Sequence, residues 1–204
     1  MGLKNNFKSD LEKEKKLTVL LDSYYKSNLK HYTFERITDI KQQYKGVDLI
    51  FKHMESGASF YIDEKAQLDY INEDLPTFAF ELCYLKNGEE KRGWLFDEKK
   101  ITNFYSLITA IYSDEPNSYT SCKITLVNRK RLIEFLLKRG IDKKSISENI
   151  FLRVKKHGKH KILGLDDKKE GYLFFSKQNK NEQPINLILR LDFLIQHKIA
   201  KRLF

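Results

Sequence analysis

The stretch from Gly46 to Leu85 limits the fold more than any other part of the chain. Three short runs in it read as strands, and the middle one alternates its faces with a period of two. That period is the side-chain repeat of a β-strand. Residues 47–52 open at Gly46. Residues 58–66 put Phe60 and Ile62 on one face and Tyr61, Asp63 and Lys65 on the other. Residues 77–85 are closed by the turn dipeptide Asn87-Gly88. A turn at 53–57 and a connector at 68–74, ended by Pro76, separate the three. A helical repeat lies upstream, in Leu17, Leu20, Leu21, Tyr24 and Tyr25. Ser9 and Glu12 have capping-box spacing and Asp10 suits the helix dipole, so this helix is expected to start at Ser9. Between helix and strands, Tyr32, Phe34 and Ile37 read as a short strand or an irregular entry.

Beyond the third run, residues 92–96 are its expected hairpin partner. Ile101, Phe104, Tyr105, Ile108, Ile111 and Tyr112 have helical spacing, so a helix is expected that ends before Pro116. Residues 119–127 alternate as a strand. Asn128 is placed to cap a helix over 129–139, and Gly140 to close it. Ser145 and Glu148 open a further short helix. Residues 161–165 and 171–175 read as a hairpin around the acidic pair Asp166-Asp167. Residues 185–190 read as a strand, followed by a helix from Leu191 that carries Leu194, Ile195 and Ile199. The expected class is α/β with a mixed sheet of α+β type. The expected division is a core over 1–118 and a mixed α/β extension over 119–204.

At 204 residues and 41% apolar content, such a chain can bury a core without disulfides or a structural metal. It holds only two cysteines, Cys83 and Cys122, so no disulfide framework is expected and a reducing cytoplasm is the expected location. No run approaches the roughly 20 apolar residues of a membrane span, and no apolar signal core follows Met1. The net charge is +10, unevenly spread. From Tyr119 onward there are 21 Lys and Arg against 8 Asp and Glu; the preceding residues hold 17 against 20. An acidic front and a basic back suit a metal-binding region joined to a phosphate-binding one.

Two acids in the front carry the chemistry. Asp48 opens one strand and Asp63 lies on the next, 15 residues later. Antiparallel neighbours can bring their carboxylates together, and such a pair repels unless a cation sits between. Magnesium is a hard ion that takes one or two carboxylates plus water and phosphate oxygens. Lys65, two residues after Asp63, shares its face. An ammonium there can orient an attacking water and offset charge on a phosphate in the transition state.

A Gly-hydrophobic-Asp strand followed by a hydrophobic strand bearing acid-x-Lys resembles the PD-(D/E)XK nuclease superfamily, the restriction-endonuclease-like fold. The likeness covers about residues 9–127 and implies a core of order α-β-β-β-α-β. By position, Asp48 resembles the first acid, Asp63 the second and Lys65 the motif lysine. Val47 stands where the family name has proline, and Asp63 where glutamate is usual. The resemblance implies a catalytic set of Asp48, Asp63 and Lys65, with Mg2+ or Mn2+ held by Asp48 and Asp63. It puts Glu64 at the variable position, whose backbone carbonyl often helps to bind metal, and Gln67 on the catalytic face, near metal-bound water or phosphate. The implied activity is a magnesium-dependent DNA endonuclease hydrolysing phosphodiester bonds. The alternative is a catalytically silent nucleic-acid-binding or protein-interaction domain on the same fold.

Glu81, within the apolar run Phe78-Ala79-Phe80-Glu81-Leu82, is either a third carboxylate near Lys65 or an edge charge. Glu14 on the first helix is expected to be solvated. Arg153, Lys155, Lys156 and Lys159 are the expected nucleic-acid contacts, with His157 and His160 among them either touching phosphate or solvated. Cys83, Cys122 and Trp94 are expected in the core. DNA is the expected partner, no membrane is expected, and a homodimer remains open.

Overall fold

The computed structural model describes residues 3–86, 89–115, 118–142, 145, 156–176 and 183–204, with side chains from residue 12. The elements in chain order are α1 (Leu3–Asn28), β1 (Tyr32–Arg36), α2 (Ile40–Tyr44), β2 (Leu49–His53), β3 (Ser59–Ala66), β4 (Thr77–Lys86) and β5 (Glu89–Arg92). Then come β6 (Phe104–Glu115), β7 (Ser118–Asn128), α3 (Arg129–Lys138), β8 (Gly158–His160), β9 (Gly171–Phe175), β10 (Ile185–Arg190), a short helix α4 (Leu191–Gln196) and β11 (Ala200–Arg202). Two sheets result, so the class is mixed α/β. The chain divides into two units: Met1–Leu75, Thr102–Leu126 and Arg202–Phe204 form the first, Pro76–Ile101 and Val127–Lys201 the second. The break expected after residue 118 falls at the start of β7, inside the first unit.

The six-stranded sheet runs β1-β2-β3-β6-β7-β11. β1, β2 and β3 are antiparallel neighbours, and β6 runs parallel to β3. Leu17, Leu21 and Tyr25 of α1 are buried against Leu49, Phe51, Ile62, Ile108, Cys122 and Ile124. The alternation in 58–66 is thereby explained: Phe60 and Ile62 join this core, and Tyr61, Asp63 and Lys65 take the opposite face. α1 is already helical at Leu3, so Ser9 lies within it and is not its cap. Among the described residues no helix is long and apolar enough to cross a membrane.

The helix expected at 101–112 is β6, and it pairs with β3 from Ile62–Phe104 to Ala66–Ile108. Every residue from Tyr105 to Ile111 is buried. A strand covered on both faces loses its alternation and reads as a continuous apolar run. Part of any such run matches a 3.6-residue repeat, while its Phe, Tyr, Ile and Thr favour the strand. The third of the three expected strands, β4, belongs to the other sheet, and β1 supplies the strand next to β2 in this one.

The second sheet, of order β5-β4-β10-β9-β8, has antiparallel pairing throughout. The hairpin partner of β4 starts earlier than 92–96, at Glu89–Arg92. Beyond it the Gly93 and Leu95 N–H groups still donate to the Leu82 and Glu81 carbonyls at 2.8 and 3.2 Å, with Gly93 too close to the Glu81 carbonyl to admit a Cβ. The strand expected at 161–165 is Gly158–His160; Leu163 is 95% exposed and Gly164 has φ +94°. Asn128 caps α3 through the Arg131 N–H at 2.9 Å, and Gly140 follows at φ +72°, as the sequence predicts. The helix opened by Ser145 and Glu148 lies largely outside the described residues.

Gly171 exists for close packing. A Cβ there would stand 2.4 Å from the Ile188 carbonyl oxygen and 2.7 Å from Leu189 Cδ2. Gly171→Ala is expected to lower stability by about 1–3 kcal/mol through overpacking. Urea unfolding followed by far-ultraviolet circular dichroism checks this.

Candidate active site

The site begins where α2 stops. Asp39 caps that short helix by accepting the Lys41 N–H at 2.9 Å. Gly46, at φ +75°, donates to Gln43 O at 2.8 Å, and Val47 to Gln42 O at 3.1 Å. A left-handed residue closing a helix in this way favours glycine. The Gly46 carbonyl is held by Thr102 Oγ1 at 2.8 Å. Asp48 follows, its N–H on Ile62 O at 2.8 Å and its carbonyl accepting from Ile37 N at 2.9 Å. The pairing of Leu49 with Ile62 puts Asp48 opposite Asp63.

The sheet thus presents two carboxyls side by side. Asp48 Oδ2 accepts the Glu64 N–H at 2.8 Å. Asp63 is 2% exposed, and Lys65 Nζ donates to its Oδ1. Lys65 Nζ also lies 3.4 Å from the Glu64 carbonyl oxygen. Asp63 Oδ2 is buried, with no hydrogen-bond donor among the described residues. Its neighbour, the Asp48 carboxyl, is another acceptor and can bond to it only when one of the pair carries a proton. Burial, and then the Asp63 charge, push the Asp48 pKa up to about 7, against the pull of Lys65 and the Glu64 N–H. Near neutral pH the pair is therefore half-way between holding a proton and needing a cation.

A divalent ion suits this donor set. Asp48 and Asp63 supply two carboxylates, and the Glu64 carbonyl is a neutral oxygen 3.4 Å from the Lys65 Nζ that bonds Asp63. Among the described residues no group of three or more His, Cys, Asp or Glu side chains is placed to hold a metal. Magnesium does not require one, since it keeps several waters and binds through one or two carboxylates plus substrate phosphate.

The raised Asp48 pKa has a sign that can be measured. The folded chain binds this proton more tightly than the unfolded chain. The associated stability is complete below the ordinary aspartate pKa, about 4, and is lost as pH rises through about 7. Thermal melts in chelator from pH 4 to 8 are expected to show a larger decline for the parent than for Asp48→Asn, whose amide carries no charge. Added divalent ion at pH 8 is expected to restore the parent.

The other face of β3 holds what sequence reasoning missed. Glu64 points toward α1, its Oε1 accepting from Tyr25 Oη at 2.8 Å and its Oε2 from Arg36 Nη1 at 2.7 Å. Arg36 Nε continues to Asp22 Oδ1 at 2.6 Å, and Tyr25 Oη meets Ser106 Oγ at 3.0 Å. Burial and the Glu64 charge hold the Tyr25 phenol well above its ordinary pKa, so it stays a donor. The one available signal was the hydroxyl of Tyr25 on a buried helical stripe, since a buried tyrosine needs a partner.

The remaining expected residues are spread out. Gln67 continues the ladder, its N–H on Ile108 O at 3.0 Å, and alternation puts it on the Asp63 face. Glu81 is half-buried on β4 in the second unit, in register with Asn186. Glu14 is exposed on α1. Arg153 and Lys155 lie outside the described residues. Lys156 is exposed, and its carbonyl oxygen is 2.7 Å from His160 Nε2. Lys159 is bound to Asp167 at 2.8 Å and lies over the Tyr172 ring at 4.5 Å. His157 packs edge-on against Phe174. Both cysteines are buried, and burial raises their pKa values to about 12, which leaves them inert. Trp94 packs against Phe80. No family model matches the chain, and no curated protein or solved structure matches it significantly.

Proposed function

We propose that the chain is a divalent-metal-dependent nuclease of the PD-(D/E)XK type that hydrolyses phosphodiester bonds in DNA. One observation carries this reading. Two facing carboxyls, one with an oxygen that has no donor among the described residues and the other protonated up to about pH 7, share a sheet face with an ammonium two residues from Asp63. The order α1, β1, α2, β2, β3, a helix followed by three strands with one short helix between the first two, supports the reading. In place of the crossover helix of the superfamily, the chain between β3 and the parallel β6 includes residues 76–101 of the second unit.

In this reading Asp48 and Asp63 would hold Mg2+ or Mn2+, with the Glu64 carbonyl as a further oxygen. Such an ion polarises a phosphoryl oxygen and makes bound water more acidic. Lys65 orients the attacking water and offers its N–H groups to the phosphoryl oxygens as negative charge builds on them. Asp63 fixes the Lys65 ammonium beside the reacting group. Water adds at phosphorus, the bond to the 3′ oxygen breaks, and a 5′-phosphate and a 3′-hydroxyl result. The net charge of +10 favours a polyanionic substrate.

The test is incubation of the purified chain with supercoiled, linear, single-stranded and branched DNA, in Mg2+ or in EDTA. Cleavage of at least one substrate in Mg2+ and none in EDTA is expected. Intact DNA under all conditions transfers the assignment to a catalytically silent binding domain.

A further inference from the structure

The face of β3 that carries Asp63 continues past the carboxyls. Tyr61, two residues before Asp63, lies on that face and is 36% exposed. Its backbone is clamped by Asn103, which accepts the Tyr61 N–H through Oδ1 at 2.8 Å and donates its own N–H to the Tyr61 carbonyl at 2.8 Å. On β2, Ile50 stands opposite Tyr61, and the exposed Lys52 follows two residues on, opposite Ser59. From the site outward, one sheet face therefore offers an acid pair, then an aromatic ring on a fixed backbone, then a cation.

The spacing of this track selects among nucleic acids. Residues i and i+2 of a strand are about 6.8 Å apart. That is about twice the 3.4 Å rise per nucleotide of a B-form strand. Nucleotides laid along the track at its own repeat are pulled apart, so each base loses its stacked neighbour and an aromatic side chain can replace it. A base held inside a duplex cannot present its face to Tyr61. Glu35, opposite Ile50 on β1, puts a negative charge on the outer edge, which repels phosphate.

Building on the nuclease reading, we infer that this site takes unpaired, single-stranded nucleic acid, with one base stacked on Tyr61 beside the scissile phosphate and a later phosphate held by Lys52. The ring supplies sequence-tolerant contact, and the Asn103 clamp keeps it at a fixed distance from Asp63.

The test measures binding and cleavage separately. Oligonucleotides carrying 2-aminopurine are titrated with the full chain in Ca2+, as single strand and as the matching duplex. The single strand is expected to bind at least about tenfold tighter, with quenching of the 2-aminopurine when it falls at the Tyr61 position. Tyr61→Ala is expected to lose about 5- to 150-fold in single-strand affinity, the range for one stacked base, while Tyr61→Trp retains it. Lys52→Ala is expected to reduce the salt slope of binding by about 0.7. Equal affinity for duplex and single strand, or Tyr61→Ala binding as the parent does, overturns the inference even if Mg2+-dependent cleavage is intact. Tyr61-dependent binding of single strands with no cleavage by the parent keeps the stacking site and removes the nuclease reading. Thermal melts of each variant exclude misfolding as the cause.

Discussion

Asp63→Asn is expected to lower cleavage by about 10²-fold or more and to remove tight binding of the divalent ion. The amide has the size of the carboxylate but brings no charge to the ion. It also removes the Asp63 charge that, after burial, raises the Asp48 pKa, so Asp48 ionises at lower pH without its neighbour. Lys65 meanwhile loses the anion that anchors its ammonium. Lys65→Ala is expected to slow cleavage by a similar factor for a different reason. It leaves both carboxylates in place, so the ion still binds, and only the chemical step suffers. Single-turnover rates with saturating Mg2+, set beside ion-binding isotherms, separate the two variants. Equal rates for parent and Lys65→Ala would remove the lysine from the mechanism.

The second large effect is on stability. Glu64→Ala removes the acceptor shared by Tyr25 and Arg36 on the helix-facing side of β3. The side chain of Glu64 is 14% exposed and that of Arg36 24%. Stripping one partner from such a pair leaves a buried charge poorly compensated, at a cost of about 3 kcal/mol. This is the low end of the usual range, because Asp22 still holds Arg36. For a chain of this size the melting temperature is expected to fall by on the order of 10 °C. Glu64→Gln keeps an acceptor and is expected to recover part of the loss. Both variants, assayed well below their melting temperatures, are expected to cut nearly as the parent does, because this side chain faces away from Asp63 and Lys65. Loss of cleavage in a folded Glu64→Gln chain would show that the side chain takes part in the reaction.

These two predictions rest on parts of the structure that differ in how openly the sequence announces them. The strand carrying Asp63 and Lys65 was legible because one of its faces packs against α1 and the other does not, which preserves the period of two. α3 was legible because Asn128 and Gly140 mark its ends with local chemistry. β6 was not, since burial of both its faces erased the alternation. α2 was missed because five residues are too few to display a helical repeat, although Asp39 and Gly46 bracket it. The partnership of Glu64 with Arg36 and Tyr25 depends on contacts between residues 28 and 39 positions apart, and no local pattern encodes it. Glu81 looked like a site acid only while β4 was placed in the same sheet as β3.

Binding of Mn2+ followed by electron paramagnetic resonance tests the central claim most directly, because free Mn2+ gives a signal that is lost on coordination. At pH 8, above the Asp48 pKa of about 7, the parent is expected to bind the ion, Lys65→Ala to bind it comparably, and Asp48→Asn and Asp63→Asn to leave it free. A parent chain that leaves the Mn2+ signal unchanged, or an Asp63→Asn chain that quenches it as the parent does, would contradict the assignment of these two carboxylates as the metal site.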